Sequence, residues 1–196
     1  MSKNKNNKVG ELVSILAIFV TMLGISASPH PFLLVLSYTV HELGHIALAR
    51  LVKAKFEKIG AGVFKLALKY DPTGLSYIKE ALITVGGILF NLLFALIVFL
   101  IFDNENEYAS FLIICNLSLA VANLYPVSIL DGGRLLNLTL LAVFKENTAK
   151  KLTSILSFVF VLILWLFSVY IQLILGANIS TLIISVFLLV KLCFSL

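Results

Sequence analysis

The stretch "SYTVHELGHIALAR", residues 37 to 50, places two histidines and a glutamate within an otherwise largely apolar run. A charged or strongly polar side chain at membrane depth costs about 2.5 to 3.5 kcal/mol on insertion scales. If this stretch crosses a membrane, His41, Glu42 and His45 together need a compensating partner. A metal ion would supply one.

The composition indicates that the stretch does lie in a membrane. Of the 196 residues, 60% are hydrophobic and 13% are charged, and the mean hydropathy is +1.06, whereas roughly a quarter of the residues in a soluble domain are charged. Long apolar runs predict an all-α polytopic membrane protein with about six transmembrane helices, forming one integral membrane domain over residues 1–196. The predicted spans are 11–28, 31–52, 79–102, 109–128, 152–175 and 178–196.

One long segment between spans, residues 57–79, predicts a different local structure. Its core "VFKLALKY", residues 63–70, alternates loosely, and "DPTG", residues 71–74, is a turn signal. A short strand or hairpin near residues 60–70 is therefore expected, with helix as the competing interpretation. An edge strand there could hold an unwound peptide by strand addition, although an ordinary surface loop is the alternative.

The distribution of basic residues predicts the topology. Six spans place both termini on one side, and with a cytoplasmic N-terminus all 15 Lys and Arg residues fall in cytoplasmic segments or at cytoplasmic span ends. The predicted outer loops contain none, as the positive-inside rule expects. We therefore expect both termini to be cytoplasmic. The net charge of +5 then reflects topology and gives no support for a nucleic-acid partner.

The motif H-E-x-x-H predicts the chemistry of the polar stretch. Positions i and i+4 lie on one face of a helix, so His41 and His45 can aim ring nitrogens at one ion while Glu42 reaches a water molecule there. Two alternatives are a polar helix contact and the site of a non-catalytic metal-binding or metal-transport protein. Hydrolysis explains the extra carboxylate best, because it needs a general base that transport does not need.

A hydrolytic zinc site usually has three protein ligands, so one ligand is missing from this helix. The best candidate is Asp131, which lies beside an apolar span in "ANLYPVSILDGGRLLN", residues 122–137. Pro126 and the pair Gly132 and Gly133 are expected to interrupt the helix there. The alternative role for Asp131 is the N-cap of the following helix, and capping and ligation could coexist.

Three motifs in this order resemble the site-2 protease family of intramembrane zinc metalloproteases. They are "HELGH", "GGILFN" (86–91) and "NLYPVSILDGG" (123–133), and the closest resemblance is to the branch containing stage IV sporulation protein FB. The resemblance implies one zinc ion per chain, bound by His41, His45 and Asp131, with Glu42 activating water. It also implies hydrolysis of a peptide bond within or near a transmembrane segment of a membrane-protein substrate, as in regulated intramembrane proteolysis.

The resemblance carries further expectations. Asn91 and Asn123 would position the substrate or stabilise the oxyanion, although hydrogen bonding between helices is an equal alternative. The protein is expected in a bacterial cell membrane, with its active site nearer the cytoplasmic side and the lipid bilayer around it. Because no PDZ or CBS domain is recognisable, control would fall to a regulatory membrane partner, to substrate availability or to the membrane.

One departure and one competing family bear on this interpretation. Asn123 is followed by Leu124, and the proline comes at position 126, whereas many family members have a proline directly after this asparagine. A membrane metalloprotease of the prenyl-protein-processing type would need a glutamate ligand on a later helix. After Glu42, glutamates lie only at the ends of the predicted apolar spans or in loops, which disfavours that type.

Overall fold

All regular secondary structure in the described part of the chain is helical. The computed structural model describes residues 29–55, 74–103 and 105–175, together with residues 185, 186, 188 and 189. Its helices are α1 (His30–Leu51), α2 (Tyr77–Ile101), α3 (Glu107–Leu124), α4 (Asp131–Leu141) and α5 (Glu146–Leu175). The all-α prediction is confirmed for these residues, among which there is no strand. The strand predicted near residues 60–70 lies outside them.

Four of these helices, α1, α2, α3 and α5, are long and apolar enough to cross a membrane. They correspond to the four central predicted spans, and the protein is an integral membrane protein. The predicted span 11–28 lies outside the described residues, as does 178–196 apart from four positions. The span predicted to run to residue 128 ends as a helix at Leu124, because Pro126 disfavours helical backbone in the residue before it.

Local sequence signals set the helix ends. Pro29 is the N-cap of α1, and Ser76 caps α2 by accepting a hydrogen bond from the Lys79 N–H. Asn106 precedes α3, and its Oδ1 accepts from the backbone N–H groups of Tyr108 and Ala109 at 3.0 and 3.1 Å. After α1, Lys53 adopts a left-handed conformation with φ of 56°, the geometry with which many helices end.

The described residues fall into two compact units, divided between Ala120 and Val121. In the first unit, α1 and α2 approach closely at a pair of glycines. A Cβ atom on Gly44 would lie 2.2 Å from the carbonyl oxygen of Gly86, and one on Gly86 would lie 2.5 Å from that of Gly44. Only glycine at both positions permits this distance between the backbones, as in other small-residue contacts of membrane helices.

The second unit contains a non-helical segment, residues 125–130, between α3 and α4. Val127 in this segment is fully buried and packs in one apolar cluster with Val161 of α5. The Ser128 N–H donates to Ser157 Oγ at 2.9 Å, and Ser157 Oγ lies 3.2 Å from the Pro126 carbonyl oxygen. These contacts fix the segment against α5 and satisfy part of its backbone, as irregular backbone at membrane depth requires.

The expectation that Gly132 and Gly133 interrupt the helix is wrong. Both lie in the first turn of α4 and are buried. A Cβ on Gly132 would lie 2.2 Å from the Leu124 carbonyl oxygen, and one on Gly133 would lie 2.1 Å from that of Val127. The glycines are therefore needed because the preceding chain folds back over the start of α4.

Candidate metal centre

The two histidines of α1 turn their ring nitrogens toward each other. Nε2 of His41 lies 3.2 Å from Nε2 of His45, and the rings are nearly perpendicular at an interplanar angle of 86°. His41 is only 4% exposed, and His45 is half-buried. The i, i+4 spacing thus produces the convergence that the sequence predicted.

One face of α2 lies against these rings. Its first contact along the helix is made by the backbone carbonyl of Ile83. Nδ1 of His45 lies 2.9 Å from the carbonyl oxygen of Ile83. A carbonyl oxygen can only accept, so Nδ1 of His45 carries the hydrogen, and Nε2 of the neutral ring is left with its lone pair. That lone pair is what a metal ion requires.

One turn later on α2, Gly87 makes room for both rings. A Cβ atom at this position would lie 2.5 Å from His41 Cε1 and 2.6 Å from His45 Nε2. At Gly86 the close neighbours of an added Cβ atom are backbone atoms of Gly44 and His45. At Gly87 the close neighbours are imidazole atoms instead of backbone.

A further turn along α2, Asn91 contacts the other side of His41. Its Nδ2 lies 3.2 Å from His41 Nδ1, and the residue is fully buried. Ile83, Gly87 and Asn91 therefore form a single face at positions i, i+4 and i+8 that holds both imidazoles.

A second buried asparagine braces α1 one turn before His41. Asn116 of α3 donates from Nδ2 to Ser37 Oγ at 2.9 Å and to the Leu112 carbonyl oxygen at 2.8 Å. Ser37 in turn donates to the Leu33 carbonyl oxygen. This contact joins α1 to α3.

The histidine pair fits a zinc ion. Two nitrogens bound to one tetrahedral zinc at roughly 2.0–2.1 Å stand about 3.3 Å apart, and the observed separation of the two Nε2 atoms is 3.2 Å. Because Gly87 has no side chain, both rings can occupy the space beside it in this arrangement. Imidazole nitrogen is also a donor that zinc prefers.

The other predicted site residues are placed as follows. Glu42 follows His41 on α1 and is half-buried, while Asn123 and Asp131 are half-buried in the second unit. Asp131 is the first residue of α4, and Leu130 occupies the N-cap position without a side-chain cap. The N-cap alternative for Asp131 is therefore wrong. A carboxylate in the first turn still suits the positive end of the helix dipole.

Three contributors to this centre were missed by sequence reasoning. The Ile83 carbonyl left no signal, since any residue supplies a backbone oxygen. A sequence signal did exist for the space at Gly87 and for the contact of Asn91 with His41. Positions 83, 87 and 91 share one face of any helix formed over 79–102. Asn116, which donates to Ser37 and lies outside the centre, was also not distinguished from the other amides within apolar runs.

Comparison with known proteins agrees with this centre. The model of peptidase family M50 matches residues 104–167. Among solved structures, the chain is similar to the site-2 protease from Methanocaldococcus jannaschii, with 25% sequence identity and a TM-score of 0.65. That alignment covers 93% of this chain and 86% of the other. The chain is therefore similar to peptidase family M50 over about a third of its length. No match was found among curated proteins.

By these similarities the protein is a metalloendopeptidase of the site-2 protease type. The matched family region contains α3, α4 and most of α5, whereas the structural similarity covers 93% of the chain.

Proposed function

We propose that this protein hydrolyses a peptide bond within or near a transmembrane segment of a membrane-protein substrate, as in regulated intramembrane proteolysis. The observation that carries the proposal is the pair of Nε2 atoms of His41 and His45, 3.2 Å apart on an apolar helix and next to a carboxylate at position 42. A hydrolytic centre needs this combination of metal ligands and base.

We infer that His41, His45 and Asp131 together hold one zinc ion per chain. Two imidazoles with one carboxylate are a donor set found in catalytic zinc sites. When bound, zinc would polarise the scissile carbonyl and lower the pKa of a water molecule toward about 7.

Glu42 supplies the proton transfers in this proposal. Its carboxylate accepts a proton from the attacking water and later donates it to the leaving amine. Asn123, at the end of α3, positions the substrate or stabilises the oxyanion. The same role predicted for Asn91 stays a prediction, and its contact with His41 suggests a further role that is argued below.

The substrate must meet two conditions. A transmembrane helix hides its carbonyls in internal hydrogen bonds, so the segment has to unwind before cleavage. Water must also reach the centre, which favours a site near the cytoplasmic face, where α1 ends at Arg50 and Leu51.

The stretch from Asn123 to Pro126 favours the sporulation branch of the family, and we propose a bacterial cell membrane as the location.

The test is cleavage of a model transmembrane substrate by the full chain in detergent. Wild-type protein should cleave it, a zinc chelator should stop the reaction, and added zinc should restore it. Glu42→Gln serves as the inactive control. Cleavage of soluble peptides but of no transmembrane substrate would contradict the intramembrane assignment. Cleavage that continues without zinc would contradict the metal centre.

A further inference from the structure

The contact between Asn91 and His41 determines which nitrogen of His41 can bind a metal. As the amide is placed, Nδ2 of Asn91 faces Nδ1 of His41 at 3.2 Å. An amide nitrogen only donates, so Nδ1 of the ring must accept, and the hydrogen of the neutral imidazole then lies on Nε2. A protonated Nε2 can donate to Nε2 of His45, but it cannot bind a metal.

This amide orientation leaves one buried atom unsatisfied. Oδ1 of Asn91 has no hydrogen-bond partner among the described residues, although the side chain is fully buried. A buried polar atom without a partner lowers the free energy of unfolding. The cost is higher than usual for a residue within a membrane span, because no lipid group can replace the missing donor.

Rotation of the amide by 180° resolves the conflict with metal binding. The oxygen and nitrogen of an asparagine amide occupy nearly the same space, and their assignment follows from the hydrogen bonds around them. In the rotated amide, Oδ1 faces Nδ1 of His41 and accepts its hydrogen. Nε2 of His41 then has a lone pair directed toward Nε2 of His45. Nε2 of His45 also has a lone pair, because the hydrogen of that ring lies on Nδ1 and is donated to the Ile83 carbonyl oxygen.

We propose that Asn91 is a positioning residue that selects the metal-binding tautomer of His41 by accepting a hydrogen bond from His41 Nδ1 through Oδ1. The inference rests on the proposed metal centre and assigns Asn91 a task that acts through His41. Partners of this kind fix the orientation and tautomer of ligating histidines, and their loss weakens metal binding by about 10- to 100-fold.

The chain offers a matched control for this proposal. Asn116 is also fully buried in a membrane span, and its Oδ1 likewise lacks a hydrogen-bond partner among the described residues. It contacts Ser37 and Leu112 but no imidazole. A general penalty for removing a buried amide would therefore affect Asn91 and Asn116 alike, whereas a tautomer effect would be confined to Asn91.

The experiment measures zinc affinity by chelator competition in the full chain, for wild type, Asn91→Leu, Asn91→Asp and Asn116→Leu. Asn91→Leu should weaken binding by about 10- to 100-fold. Asn91→Asp should stay close to wild type, because its carboxylate accepts from Nδ1 in either orientation. Asn116→Leu should keep wild-type affinity even where thermal unfolding shows lower stability.

Nitrogen-15 NMR of histidine-labelled protein gives a direct readout, since the chain has 3 histidines. In the zinc-loaded wild type, His41 should carry its hydrogen on Nδ1. Ligation of zinc through Nδ1 of His41 would overturn the proposal even if Asn91→Leu failed to fold. Wild-type affinity in Asn91→Leu would overturn it too. Failure of the wild type to bind zinc would instead contradict the proposed function itself.

Discussion

Nε2 of His45 lies 2.6 Å from the position that a Cβ atom on residue 87 would occupy. This distance is well below any van der Waals contact, so no side chain fits at this point of α2 while the imidazole keeps its place. The absence of a side chain at Gly87 is therefore part of the metal centre, as much as the two rings themselves.

Gly87→Ala should reduce zinc affinity at least about tenfold, because the added methyl group must push one or both imidazoles away from their shared point. The rings can rotate, so the helices need not separate. Equilibrium dialysis against zinc, with thermal unfolding in the same detergent, measures both effects. The result expected is loss of zinc with a small change in stability.

Gly86→Ala is the matched comparison. Its methyl group would meet the Gly44 backbone 2.5 Å away, and backbone cannot rotate aside. Overpacking of this kind costs about 1–3 kcal/mol, so stability should fall first in this variant. If Gly87→Ala bound zinc as well as wild type, the space above Gly87 would have no part in the centre.

The histidine pair shows how far sequence reasoning reaches. The spacing of His41 and His45 predicts their convergence, because both residues belong to one helix and helical geometry is fixed. Contacts with α2 depend on the crossing of two helices at Gly44 and Gly86, which no local pattern determines. Neither the Ile83 carbonyl nor the orientation of Asn91 was therefore predicted.

The errors near Asp131 have a similar cause. Gly132 and Gly133 were interpreted as helix breakers because glycine has low intrinsic helix propensity. In the structure they lie within α4, where the carbonyl oxygens of Leu124 and Val127 leave no room for a Cβ atom. Tertiary packing therefore requires glycine at both positions. The helix begins at Asp131, which places Leu130 at the N-cap position.

Glu42→Gln separates a base from a ligand. The glutamine keeps the size of the side chain but cannot accept a proton, so activity on the model substrate should fall by at least about 100-fold. Zinc content should stay near one ion per chain, because the proposed ligands are unchanged. Metal analysis and a cleavage assay on the same preparation decide the matter. Loss of zinc together with activity would make Glu42 a ligand.

The proposed orientation can be tested by labelling single cysteines. Glu105 is exposed in the loop between α2 and α3, and that loop contains no Lys or Arg, so Glu105→Cys should react with an impermeant reagent from outside. Lys145→Cys, in the loop before α5, should react only from the cytoplasmic side. Both variants need a background in which Cys115 and Cys193 are replaced. The reverse labelling pattern would show the opposite orientation in the membrane and would contradict entry of water from the cytoplasmic side.

Asp131→Asn tests the third zinc ligand. Asparagine has nearly the same shape but no negative charge, so zinc affinity should fall. Loss of a residue that only supports a ligand weakens binding by about 10- to 100-fold, and loss of a ligand should weaken it by at least as much. Asp131→Glu keeps the charge on a longer side chain and should retain part of the metal with reduced activity. Chelator competition measures both affinities.

Asp103→Asn is the control for charge alone, since Asp103 is an exposed carboxylate in the loop between α2 and α3. It removes the same charge at a distance along the chain from every proposed ligand and should leave zinc affinity unchanged. Weaker binding in both variants would indicate a general electrostatic effect on the cation. Wild-type affinity in Asp131→Asn would leave the centre with the two histidines and require a different third ligand.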